Sequence, residues 1–128
     1  MKYYFAKTVS GEFEEVIKKV TNELEKEGFG VLTQIDIAAT LKKKLDVDFK
    51  KYQILGACNA PYAHKALKAE DKIGTMLPCN VIVQEVEKGK IEVAAVNPSA
   101  SMQAVGNKDL KEIATEIGNK LQTVVDNV

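Results

Sequence analysis

Apolar and polar positions change their period several times along this chain, and each change marks an element. Tyr3 to Val9 alternates, which predicts a first strand. Ser10 then stands where a helix N-cap belongs, its hydroxyl able to accept a bond from an unpaired backbone N–H. Phe13, Val16, Ile17, Val20 and Leu24 follow at the spacing of one buried helix face, and Gly28 offers a left-handed stop. Phe29 to Ile37 reads as a second strand. A short helix is expected next, with Ala38, Leu41 and Leu45 inward and Lys42-Lys43-Lys44 facing water. Phe49 to Ala57 is expected to form a third strand. Pro61 then sits early in a second short helix running from Tyr62 to Ala69, where its missing N–H costs little. Tyr62, Ala63, Ala66 and Leu67 make the apolar stripe of that helix.

From Asn80 to Glu87 the alternation is clean, with Val81, Val83 and Glu85 on one face and Ile82, Gln84 and Val86 on the other. Lys88-Gly89 predicts a hairpin turn into a fifth strand over Lys90–Val96, which Asn97-Pro98-Ser99 closes. Asn107 caps a last helix marked by Leu110, Ile113, Ala114, Ile117, Leu121, Val124 and Val125. Gly118 inside it lowers helix propensity and suggests close packing against the sheet. Two long amphipathic helices and an antiparallel sheet imply a two-layer α+β fold with short helical insertions. Residues 1–128 carry no repeat, linker or low-complexity tract, so the expectation is a single domain.

Composition narrows the function classes. Lys+Arg and Asp+Glu number 18 each, so there is no basic excess of the kind that phosphate-driven nucleic-acid binding uses. The lysine run is too short for a targeting tail and reads as a solvated helix face. No stretch approaches the ~18 apolar residues of a membrane span, and the N-terminus lacks a signal-peptide core. A cytoplasmic setting with reduced thiols is therefore expected. Signatures of dinucleotide, nucleotide-triphosphate, serine-hydrolase and zinc-protease sites are all absent.

Candidate chemistry concentrates at the only two cysteines. Each precedes an asparagine and lies beside a proline: Cys58-Asn59-Ala60-Pro61, and Pro78-Cys79-Asn80. If strands two to five form an antiparallel meander, Cys58 and Cys79 meet at one sheet end, joined by Asn59, Asn80, Asn97 and Met102. A parallel pairing of strands three and four would put the cysteines at opposite ends. Cys58 also precedes a helix, whose N-terminal N–H groups favour a thiolate. Cys58, Cys79 and either His64 or Met102 would suit a soft or borderline ion, Cu(I) or Zn²⁺. A redox pair, or two small buried hydrophobes, fits the same spacing. His64, the only histidine, lies off its helix's apolar stripe and is expected to face solvent. Asp36, at the other end of the meander, is explained by helix capping as well as by catalysis.

Leu55-Gly56-Ala57-Cys58-Asn59, then Ala63, Ala66-Leu67, Ile73-Gly74 and Leu77-Pro78-Cys79-Asn80-Val81, resemble the domain of unknown function 302 family. Gly28-Phe29-Gly30-Val31-Leu32, Ile35-Asp36, Leu41 and Lys44-Leu45 match its earlier segment, and Asn97-Pro98 with Met102 its later one. Ala60 departs from the family pattern by separating Cys58-Asn59 from Pro61, and Asn97 stands where the family often has aspartate. The resemblance implies a TATA-binding-protein-like arrangement, a curved antiparallel sheet against two helices, and no particular activity. Fold likeness to a DNA-binding domain is not evidence of DNA binding. Three functions are thus open. Binding of a metal ion or small ligand at Cys58, Asn59, Cys79, Asn80 and Met102 leads. A homodimeric interaction module with buried cysteines and a thiol-dependent redox protein follow, and no enzymatic role is favoured.

Overall fold

The computed structural model describes residues 1–128. In chain order its main elements are β1 (Tyr4–Ser10), α1 (Phe13–Lys26), β2 (Gly30–Asp36), α2 (Ile37–Leu45), β3 (Tyr52–Cys58), α3 (Ala60–Ala69), β4 (Cys79–Glu87), β5 (Lys90–Val96), α4 (Pro98–Ser101) and α5 (Lys108–Asp126). Short 3₁₀ turns over Asp71–Met76 and Met102–Val105 complete the connections. The strands form one five-stranded sheet in the order β1-β5-β4-β3-β2, with every neighbouring pair antiparallel. Strands β2 to β5 are therefore the expected meander, and β1 closes the other side against β5. The fold is α+β.

Alternation decides which face the helices take. Leu55, Val81, Val83, Ile91, Val93 and Ala95 point to one side and are fully buried. Val20 and Leu24 of α1 and Leu121, Val124 and Val125 of α5 pack onto them in one apolar cluster. Burying such side chains is worth roughly 1.5–3 kcal/mol each, before conformational entropy is subtracted. The opposite sheet face has no such layer, and apart from the buried Gly56 its residues are half-buried or exposed. Lys7 ties β1 to the end of α5, donating to the carbonyls of Asp126 and Val128 at 2.9 Å each. A cation there opposes the partial negative charge of a helix C-terminus.

Several local expectations are corrected. Ser10 does not cap α1; it ends β1, and its hydroxyl accepts from Lys90 Nζ at 3.0 Å. The N-cap position belongs to Glu12, without a side-chain bond. Helix α2 buries none of its residues, and Leu45 is 65% exposed. Its apolar stripe has only the end of the edge strand β2 and of β3 beneath it, so periodicity finds little to pack on. Phe49 lies outside β3 and is exposed, as is Leu67 of α3. Asp36 does cap α2, accepting from the Ala39 N–H at 2.9 Å. Asn107 caps α5 as expected, accepting from the Asp109 N–H at 2.9 Å.

Gly118 packs on α4 rather than on the sheet. A methyl group built there would sit 3.6 Å from Pro98 Cδ, an ordinary contact. Gly118→Ala should therefore raise stability by about 0.5–1 kcal/mol, because alanine suits a helix interior better than glycine. Gly56 is the opposite case. A methyl group there would press on Thr33 Oγ1 and come within 2.8 Å of the Pro78 ring. Gly56→Ala should cost about 1–3 kcal/mol through overpacking. Denaturant melts of the two variants, read against the native chain, check both signs.

Candidate functional site

The β3–β4 ladder brings the cysteines together. Ala57 lies opposite Cys79, so Cys58 is one residue beyond the pair, where β3 ends and β4 begins. Helix α3 starts two residues after Cys58, and Pro61 falls in its first turn. Cys79 shares the inner, helix-covered face with Ala57 and is buried, whereas Cys58 is half-buried. Both are free thiols. Burial pushes the Cys79 thiol up from 9.0 to about 11, and the neighbouring charge of an ionised Cys58 pushes in the same direction.

A cavity of about 30 Å³ opens between this sheet end, α3 and α5. Its wall includes Cys58, Cys79, Asn59 and Met102, with Tyr62, Ile113 and Ile117 among the apolar remainder. Sulfur-bearing residues of β3, β4 and the 3₁₀ turn after α4 therefore line one small apolar space. A second, larger and more open groove lies on the other side of Met102 and Ala114, which line both spaces and so form the partition. That groove is lined by polar residues such as Asn107, Lys108 and Lys111.

Asn59 is 7% exposed and its Nδ2 donates to the Glu27 carbonyl at 3.1 Å, across from the end of α1. It occupies the N-cap position of α3 without making a cap bond. Its amide instead fastens α1 to α3, and Gly28, at φ 87°, passes close beneath it. Asn80 departs from the expected set. It lies opposite Gly56 on the uncovered sheet face, exposed, and does not line the cavity. The cause is strand alternation, which sends neighbours Cys79 and Asn80 to opposite faces. His64 is exposed on α3 and does not join the cysteines. No three side chains among His, Cys, Asp and Glu gather into a group able to hold a metal ion, so the expected pairing of His64 with both cysteines is not formed. Asn97 is engaged in structure: its Oδ1 accepts from the Ser99 N–H and its Nδ2 donates to the Lys2 carbonyl, both at 3.1 Å.

Sequence reasoning missed the α5 wall, Ile113 and Ile117, and the contributions of Phe29 and Pro98. Ile113 and Ile117 carried a signal, since both lie on the apolar stripe of the last helix; only the angle of that helix over the sheet end makes them cavity wall.

The geometry separates the two thiols. At neutral pH Cys58 should alkylate readily and Cys79 much more slowly, as followed by mass spectrometry of Cys58→Ala and Cys79→Ala. Because the Cys79 thiol is held protonated in the fold, its contribution to stability is present below pH 9.0 and is lost as pH rises toward about 11. Melting across that window should show an alkaline loss in the native chain that Cys79→Ala lacks.

No helix is long and apolar enough to cross a membrane. No curated protein matches this chain. The solved structure described as "uncharacterized conserved protein DUF302 from Bacillus stearothermophilus" superposes with a TM-score of 0.91 at 30% identity, over 99% of this chain and 98% of that one. The family described as "Domain of unknown function DUF302" matches residues 5–128. With its cysteine-bearing strand ends inside that match, the chain belongs to the DUF302 family.

Proposed function

We propose that this protein is a binding domain for a single soft metal ion, Cu(I), held at the sheet end by Cys58 and Cys79 with the Met102 thioether beside them. One observation carries this reading: three sulfur-bearing residues from separate elements, Cys58, Cys79 and Met102, line one apolar cavity. Its size selects the ligand. A volume of about 30 Å³ admits a water-sized occupant. Organic ligands generally need pockets of roughly 300–1,000 Å³. Thiolate and thioether donors favour Cu(I). Zn²⁺ in protein sites takes three or four donors of the His, Cys or carboxylate kind, and only two stand here. The groove beyond Met102 supplies an approach from solvent, with the thioether at the threshold. Binding displaces the Cys79 proton, so affinity should rise with pH through the neutral range.

The test is titration of the reduced protein with Cu(I) against a competing chelator. One ion should bind per chain, Cys58→Ser and Cys79→Ser should each abolish binding, and Met102→Leu should weaken it about tenfold, the order of loss expected when a supporting group of a metal site is removed. Zn²⁺ should bind far more weakly. Absence of Cu(I) uptake by the reduced native chain, or uptake that survives both serine variants, would overturn the reading.

A further inference from the structure

The sheet face opposite the helices is not built for water. An antiparallel sheet with one wet face alternates apolar-in and polar-out. Here the outward row that crosses the middle of all five strands is Ala6, Ala94, Ile82, Ile54 and Ile35, each directly opposite the next in register. Ile35 is 45% exposed and the central members are half-buried. In the row on the cavity side stand Tyr4, Val96, Asn80, Gly56 and Thr33; on the other side stand Thr8, Glu92, Gln84 and Tyr52. Glu92 is the only charge in these rows, and Gln84 Nε2 donates to it at 2.9 Å. Gln84 Oε1 has no hydrogen-bond partner, so a polar demand on this face is left unmet by the chain itself.

We infer that this face is the interface of a homodimer, and that the two-fold axis runs along β4, the central strand. The side-chain volumes make the case for a second copy of the same chain. An axis along β4 exchanges left and right, laying β1 of one subunit over β2 of the other and β5 over β3. The central row then meets itself with small against large: Ala6 under the partner's Ile35, Ala94 under the partner's Ile54, and Ile82 against the partner's Ile82. In the cavity-side row Tyr4 lies over the partner's smaller Thr33 and Asn80 meets the partner's Asn80, while Gly56 offers no socket because Thr33 and Pro78 of its own chain fill the space above it. An axis across the strands instead would set Ala6 on the partner's Ala6 and Ile35 on the partner's Ile35, leaving gaps at one edge and clashes at the other. Self-complementarity of this kind is what an isologous interface requires.

The extent of the face suits the assignment. Five strands about 4.8 Å apart, with residues rising about 3.3 Å, make seven-residue strands into a platform roughly 24 Å by 23 Å. That is about 550 Å² per partner, toward the small end for specific interfaces, whose standard size is ~800 Å² per partner. Face-to-face sheets pack about 10 Å apart and near −30°, which the twist of each sheet sets, so the axis lies within about 15° of β4. Tyr4, at a corner of the sheet, and Tyr52, at the far end of β3, are the aromatic residues in which such interfaces are enriched.

Sedimentation equilibrium of the native chain and three variants tests this. The native chain should be a dimer. Ile82→Arg sets two like charges face to face on the axis and should weaken self-association about a hundredfold or more while the thermal melt stays cooperative. Ala94→Ile should weaken it about tenfold by crowding the partner's Ile54. Adding Ile54→Ala to that variant should restore it, although Ala94 and Ile54 are two strands apart within one chain and cannot compensate there. If Ile82→Arg fails to fold, the Ala94 and Ile54 pair decides alone. A monomeric native chain, a folded Ile82→Arg dimer, or a double variant no tighter than Ala94→Ile would overturn the proposal. A dimer that keeps this pattern yet takes up no Cu(I) would leave it standing and refute only the metal reading.

Discussion

The antiparallel ladder between β3 and β4, with Ala57 opposite Cys79, is the constraint on which the cysteine end of this molecule depends. Two segments separated by about twenty residues of helix and turn become neighbours only because that ladder is antiparallel. It also sets their difference. Cys79 falls on the face covered by α1 and α5 and loses its water, while Cys58 ends the strand half-exposed at the start of α3. The raised Cys79 thiol is the electrostatic consequence of that register, since burial penalises the charged form.

The same ladder divides the molecule into a dry side and an unpartnered side. On the dry side, Leu55, Val81 and Val93 are sealed beneath α1 and α5. On the other, Ile54, Ile82 and Ala94 form an apolar band with no layer of their own. The cysteine-lined cavity and the outer sheet face are thus separate consequences of one pairing pattern: side chains at alternate positions along β4 serve the core and cavity or serve the outer surface. Asn80 illustrates the division. Although adjacent to Cys79 in sequence, it belongs to the outer surface and not to the cavity.

Much of the fold was legible because hydrophobic periodicity is a local signal. The faces of α1 and α5, the alternation of β4, the Lys88-Gly89 turn and the Asn107 cap all depend on residues within one or two turns of each other. Where local pattern lacks a tertiary partner, it misleads. Helix α2 has an apolar stripe and buries none of it, because it lies at the end of an edge strand. Ser10 has a capping side chain, but the strand runs on through it to pair with Lys90. At the site, the pairing of the two Cys-Asn segments was legible through topology, and Met102 with it; His64 and Asn80 were neighbours in sequence that the fold directs elsewhere.

By itself, then, the sequence determined the element types, the α+β class, the family and the conditional meeting of Cys58 with Cys79, since each follows from short-range spacing plus one choice of strand direction. Tertiary structure alone decided how small the cavity is, that Ile113 and Ile117 wall it, that Asn59 spends its amide on the end of α1, and that the outer row aligns as alanine, alanine and three isoleucines. Those are matters of register and helix placement. Distances between elements far apart in sequence come from the packing of the whole core, and no local pattern encodes them.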